Sequence, residues 1–321
     1  MQKLLQNEVE LNNHRIRIAK ELMVKNGNFS ETKDITSRNR PSDVEIRVVA
    51  SDRGNSYLFQ TVVFLLEQQT SKHFSFNLSI CNVESKPFPD LDSFDLPIVT
   101  VGGKDGKNNR FGNNLNLTIK KENEDYWKCL GLPSNDRYIL LIEDDSLVIP
   151  EFSNLLKSLV GILDFHESVD FVKLYHPNNL RKLPSYVLII TFSIMLSLCI
   201  CRFFKSLPFL TFLLLAAAMS YDLTKYGSQF PAELRYKLTG AAYMSYPESC
   251  CTPAVIFRQS SIPKMIEYFK ETNAFNDHAK DHILDESPFT GRQSDINYVT
   301  HIGAFSSVRH RPVFLSDLRV V

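Results

Sequence analysis

Residues 138–150 read YILLIEDDSLVIP. Residues 138–142 form an apolar run with no polar interruption, which predicts a strand buried on both faces, as at the centre of a parallel sheet. Glu143, Asp144 and Asp145 follow it without a gap. In open α/β sheets, ligands bind just beyond the carboxyl ends of the strands. Carboxylates there are hard oxygen ligands suited to Mg²⁺ or Mn²⁺, and three in a row repel one another unless a cation relieves them. The alternative is a solvated acidic turn. The buried strand before the acidic run and a helix opening at Pro150 favour a metal site.

Working outward, residues 44–51 (VEIRVVAS) predict a first strand. Residues 56–69 follow with helical spacing in Leu58, Val62, Leu65 and Leu66. Strands are expected at 74–83 and 96–101, a glycine- and asparagine-rich loop at 102–114, and a helix at 123–132 holding Trp127, the one tryptophan. Beyond the acidic run come a helix at 151–165 and a strand at 169–175. Much later come a strand at 254–258, helices at 262–271 and 278–286, and an extended run at 298–302. Strands alternating with helices imply an α/β sandwich.

This alternation is broken by residues 183–221, whose only charges are Arg202 and Lys205. The run divides into 19 uncharged residues (183–201) and 16 (206–221). A bilayer-spanning helix needs about 20 mainly apolar residues. The first piece qualifies, and the second is marginal unless Lys205 and Tyr221 extend it by snorkelling. The expectation is a membrane hairpin that returns the chain to the side it left, with a buried hairpin of a soluble domain as the alternative. The flanking sequences then fold together. No signal peptide or N-terminal anchor is visible in the polar, mildly helical residues 1–33, so either the hairpin handles insertion or the start of the natural chain is missing.

The 321 residues are 44% hydrophobic and 22% charged, ample for a packed core. Lys+Arg and Asp+Glu balance at 36 each, which argues against a polybasic nucleic-acid binder. Six cysteines leave room for one or two disulfides outside the apolar segment, and the adjacent Cys250 and Cys251 form no metal motif.

Two further clusters carry chemistry. On a helix, Asp277 and Asp281 share a face at i, i+4, and one of them has the chemistry of a general base toward a hydroxyl. His301 ends an extended run and enters a small-residue loop. His278 and His282 lack a third ligand in any zinc pattern. Taken alone, the acidic pair also reads as a charged surface helix and His301 as a structural histidine.

In combination these residues carry a resemblance. The run 138–150 resembles the metal-binding strand end of GT-A glycosyltransferases, whose D-x-D appears as E-D-D in some families. Ser56-Tyr57-Leu58 with Thr61, Lys121 to Tyr126, Asp281 to Leu284, His301-Ile302-Gly303 and Ser306-Ser307 are similar to type-four N-acetylglucosaminyltransferases. The inserted apolar hairpin and the run Cys250 to Ala254 look like the GPI-glycan N-acetylgalactosamine transferase family. That family begins with a transmembrane anchor, which is not seen here.

The resemblance implies a GT-A-like nucleotide-sugar transferase sandwich interrupted by a transmembrane hairpin. Its parts are a polar helical segment at 1–43, the nucleotide and metal half at 44–182, the hairpin at 183–222, and the acceptor half at 223–321. It implies Ser51, Arg53 and Tyr57 around a UDP-sugar, with Lys121 and Asp125 nearby. Asp144 and Asp145 hold Mn²⁺ (or Mg²⁺) against the diphosphate, with Glu143 and His301 completing the site. Asp281 is the inverting base, and Asp277 supports it. The implied reaction moves N-acetylgalactosamine from UDP-GalNAc to the mannose core of a GPI glycolipid or GPI-anchored protein. The hairpin contacts membrane lipid, and the catalytic domain lies on the lumenal side of the Golgi membrane. A metal-dependent phosphoester hydrolase and a non-catalytic binder of GPI-anchored clients are the alternatives.

Overall fold

The computed structural model describes residues 2–27, 42–70, 74–103, 115–177, 186–204, 209–226, 229–247, 251–275, 278–303, 305–306 and 311–312. The apolar run forms β4 (Tyr138–Glu143), and its first five residues are buried. On one side it pairs with β1 (Val44–Ala50), parallel, with Val48 opposite Ile142. On the other it pairs with β8 (Ala254–Arg258), antiparallel, with Leu140 opposite Ile256. The expected parallel surroundings are therefore corrected to a mixed sheet. An apolar run reports burial on both faces, which either direction of neighbour supplies.

Beyond β1 lie β2 (Asn77–Asn82) and β3 (Ile98–Thr100), both parallel to it. Beyond β8 lie β6 (Phe171–Lys173), β9 (Gly291–Ser294) and the short β7 (Met244–Ser245), giving the order β3-β2-β1-β4-β8-β6-β9-β7. A separate ribbon pairs β5 (Ser146–Val148) with β10 (Val299–His301), antiparallel, and sets His301 opposite Ser146. This ribbon brings a histidine from late in the chain to the acidic turn.

Side chains alternate across the sheet. Ile139 and Leu141 enter a core with Trp127 of α3 (Leu115–Leu130), Met265 and Phe269 of α8 (Ile262–Phe275), and Ile283 of α9 (Lys280–Asp285). Trp127 stacks on Phe269 with ring centroids 3.8 Å apart. The next layer holds α2 (Tyr57–Thr70) and α4 (Phe152–Phe165), which pack on each other. α1 (Gln2–Lys25) lies against α2, where Arg15 Nε donates to Gln60 Oε1 at 3.2 Å.

Two ties bind β1 and β2 to the end of α3. Arg47, buried in mid-strand, donates to the carbonyls of Cys129 (2.8 Å), Leu130 (3.2 Å) and Pro133 (3.2 Å), and pairs twice with Glu45 at 2.8 Å. The last carbonyls of a helix lack intrahelical donors, and a cation there also meets the negative end of the helix dipole. A disulfide joins Cys81 to Cys129. Cys251 is also disulfide-bonded.

Contacts divide the chain into two units, Met1–Tyr175 with Met244–Val321, and His176–Tyr243. The second unit contains α5 (Tyr186–Phe203), α6 (Phe209–Tyr226) and α7 (Gln229–Thr239). α5 and α6 pack together through small residues, with Ser193 and Ser197 buried and Ser197 Oγ 3.8 Å from Met219 Sδ. Small side chains let helices approach closely. Tyr186, Val187, Leu188 and Phe192 are exposed on α5, and only 17% of its apolar window is buried, which is unlike the core helix of a soluble protein. Among the described residues α5 is the one helix long and apolar enough to cross a membrane. The apolar part of α6, Phe209–Thr224, is shorter.

Candidate active site

β4 delivers three carboxylates to three different surroundings. The Asp144 N–H extends the β1 ladder to the Val49 carbonyl (3.1 Å), and its own carbonyl accepts the Thr61 hydroxyl (2.8 Å). Its carboxylate turns to the end of β1, where Oδ2 accepts the Ser51 N–H (2.9 Å) and Oδ1 faces Arg53 Nε (3.1 Å). Asp145, wholly buried, pairs through Oδ2 with Arg53 Nη1 and with His301 Nε2 (3.3 Å). Its Oδ1 is buried and accepts no hydrogen bond among the described residues. Glu143 meets Lys280 Nζ at 3.0 Å, and Lys280 also pairs with Glu122 of α3.

Burial pushes Asp144 up to about 6 against the pull of Arg53. Burial acts the same way on Asp145, but Arg53 and then His301 outweigh it and hold that carboxyl well below the usual range. Burial disfavours the charge on His301, and Asp145 overrides this and raises it. Glu143 is raised, chiefly by burial, with Lys280 opposing.

Glu143, Asp145 and His301 offer ligand atoms that all lie within 4.8 Å of one another. Oxygen and imidazole nitrogen are a donor set that Mn²⁺ accepts. The orphaned Oδ1 of Asp145 is a buried acceptor with its lone pairs unused, so the residues fit a divalent cation. Gly303 makes room for this geometry: a Cβ there would lie 2.1 Å from Asp145 Oδ2. The Ile302 N–H, donating to the Asp145 carbonyl at 2.8 Å, holds that backbone in place.

The β1–α2 loop supplies the rest of the rim. Gly54 and Ser56 both have positive φ (69° and 50°), the second at a non-glycine residue just before the α2 N-terminus. Left-handed backbone at a non-glycine residue marks a constrained turn. Tyr57 is buried in a cluster with Leu147 and Ile302. Lys121 and Asp125 pair with each other on α3, and neither is among the ion-pair partners of the acidic turn. Asp281 lies in the first turn of α9, one residue beyond Lys280, and its Oδ2 accepts the Cys251 N–H at 3.2 Å. α9 begins at Lys280 after an extended Ala279, and Asp277 lies outside the described residues. His278 and His282 have ring centroids 6.0 Å apart, and both are exposed.

No local sequence signal marks Lys280, Glu122 or Gly303 as part of this site. Nothing in the charged run DHAKDHIL marks its lysine as buried, and a glycine needed for space rather than for φ leaves no local signature.

Residues 44–300 match the family profile described as GPI-N-acetylgalactosamine transferase PGAP4. Among solved structures, the galactosyltransferase LgtC in complex with donor and acceptor sugar analogues is 10% identical. The match covers 75% of this chain and 69% of that one, at a TM-score of 0.38. S. aureus TarS 1-349 is 14% identical over 45% of this chain and 39% of its own, at 0.29. The mannosyltransferase PcManGT from Pyrobaculum calidifontis, in complex with GDP-Man and Mn²⁺, is 8% identical over 54% and 48%, at 0.27. The chain thus spans about two fifths of TarS 1-349 and about half of PcManGT.

Proposed function

The chain belongs to the GPI-N-acetylgalactosamine transferase family, and from that membership we propose that it is a metal-dependent, inverting glycosyltransferase. The donor is UDP-GalNAc, and the acceptor is the mannose core of a GPI glycolipid or GPI-anchored protein. The observation that carries the metal-dependent reading is the buried carboxylate of Asp145, with one oxygen unpartnered beside Glu143 and His301 at the end of β4.

In this reading Asp145, His301 and Glu143 hold Mn²⁺ or Mg²⁺. The ion supplies Lewis-acid neutralisation of the departing diphosphate. Asp144 orients the β1–α2 loop through the Ser51 N–H and Arg53, and the loop faces the nucleotide. Asp281 takes the proton of the acceptor hydroxyl as its oxygen bonds to the sugar's anomeric carbon and the bond to the UDP oxygen breaks. Asp277 is assigned the role of its supporting carboxylate, and Lys121 and Asp125 line the outer donor side. The Cys81–Cys129 bridge supports an oxidising compartment, in keeping with a lumenal Golgi domain. α5 supports membrane anchoring, which would confine enzyme and lipid-linked acceptor to one surface and raise their effective concentration.

The test is transfer from UDP-GalNAc to a GPI acceptor by the full chain in detergent, with and without Mn²⁺. Transfer that needs Mn²⁺ and is lost in Asp281→Asn, while UDP still raises Tm, supports the proposal. Release of phosphate without a sugar donor would show a hydrolase. No thermal shift with UDP plus Mn²⁺ and no turnover would show a non-catalytic binder.

A further inference from the structure

Lys280 has its side chain only 12% exposed, and its Nζ stands between two carboxylates from distant parts of the chain. Glu143 Oε1 is 3.0 Å away, Glu122 is the other partner, and the Tyr126 ring lies 5.3 Å below. The position is built rather than incidental. Lys280 opens α9, and the segment before it is pinned to α3, because Asn123 Nδ2 donates to the His278 carbonyl at 2.8 Å.

The charges of the cluster then separate into two sets. Arg53 serves Asp144 and Asp145, and Lys280 serves Glu122 and Glu143. Four carboxylates thus face two permanent cations, leaving room for about one divalent charge. A metal ligated by Glu143 would sit about 2.1 Å from its oxygen. It would then lie within a few ångströms of the ammonium, where two cations in a desolvated pocket repel strongly.

We propose that Lys280 is a built-in counter-cation that competes with the divalent metal for Glu143 and so holds down the affinity of the Glu143–Asp145–His301 cluster for metal. Glu122 is the counterweight, since by sharing Lys280 it loosens the lysine's hold on Glu143. This rests on the metal reading above. It predicts effects of opposite sign: removing Lys280 deepens the negative site, whereas neutralising Glu122 gives Lys280 wholly to Glu143.

The experiment measures Mn²⁺ binding to the detergent-solubilised full chain without nucleotide, by the EPR signal of free Mn²⁺ and by the Mn²⁺-dependent rise in Tm. Lys280→Met is expected to bind Mn²⁺ about tenfold more tightly than wild type and to gain more Tm from it, as tighter binding to the folded state requires. Glu122→Gln is expected to bind about tenfold more weakly, and Lys280→Arg to restore the wild-type value. Both variants shifting in the same direction, or neither shifting, overturns the role of Lys280 while leaving the metal site standing. No Mn²⁺ binding by any of the proteins overturns the metal reading and this proposal with it. Should Lys280→Met fail to fold, Glu122→Gln decides alone. Weaker binding supports the competition, and unchanged or tighter binding overturns it.

Discussion

Asp145 answers to Arg53, His301 and the space left by Gly303, and each neighbour constrains it differently. Arg53 keeps it ionised, His301 fixes its orientation, and Gly303 allows its carboxylate to sit against the backbone. Asp145→Asn keeps the shape and removes the charge. It is expected to abolish the Mn²⁺-dependent rise in Tm and to lower transfer by about 100-fold or more, read from thermal shift and product formation. Gly303→Ala tests space alone. Its Cβ would meet Asp145 Oδ2 at 2.1 Å, so the carboxylate must move. Misplacing a reactive group by about 1 Å costs on the order of 100-fold, and a loss of that order in transfer is expected with far-UV CD unchanged. Wild-type activity in Gly303→Ala would show that the Asp145 geometry is not needed. The acidic run itself was legible in sequence because its three members are adjacent. Their division of labour was not, because the partners that separate them, Ser51 and Arg53 after β1, Lys280 in α9 and His301 in β10, come from distant parts of the chain.

At the scale of elements, β1, β2 and α3 are tied twice at one place. The Cys81–Cys129 bridge closes a separation of 48 residues. The chain-entropy model gives about 4 kcal/mol for a loop of that length. Replacing both cysteines by serine is expected to lower unfolding stability by up to that amount, measured by denaturant titration of the solubilised chain. The second tie depends on pH. Burial pushes the Glu45 carboxyl up, but its hydrogen bonds with Arg47, Ser134 and Ser79 outweigh this and leave it depressed. A depressed acid contributes stability above its unfolded pKa and loses it as pH falls through the folded value. Wild type should therefore lose stability below the ordinary glutamate range more steeply than Glu45→Gln, in Tm followed against pH. Equal acid limbs would remove Glu45 from the tie. These elements were largely legible from periodicity. The strand at 138–142 and the helix at 151–165 stand nearly where expected. The α3 helix begins at Leu115 rather than 123, since the apolar residues of its first turns, Leu115, Leu117 and Ile119, alternate instead of recurring at helical spacing.

For the whole molecule, the question is how a catalytic unit accommodates an interruption of nearly seventy residues. The sheet order answers it. β6, where the chain leaves, and β7, where it returns, both pair with β9. The two strands therefore lie about 10 Å apart across one intervening strand. The excursion ends close to where it began, so the sheet needs no rearrangement to admit it. Replacing residues 176–243 by a short flexible linker is expected to leave the first unit folded and able to bind UDP with Mn²⁺. It is also expected to release the protein from carbonate-washed membranes, whereas the intact chain is retained. Retention of the linker variant would place the anchoring outside α5 and α6.

The sequence by itself determined the kinds of parts: a buried strand that ends in carboxylates, alternating α/β segments, and an apolar run long enough for a bilayer. These are properties of neighbouring residues, set by side-chain chemistry and local periodicity. Only the tertiary structure decided that β8 runs antiparallel to β4, that His301 and Gly303 close on Asp145, and that Lys280 rather than Lys121 reaches the acidic turn. Such pairings join residues more than a hundred positions apart. They follow from strand order and from how α9 docks on α3, neither of which is written in any local spacing.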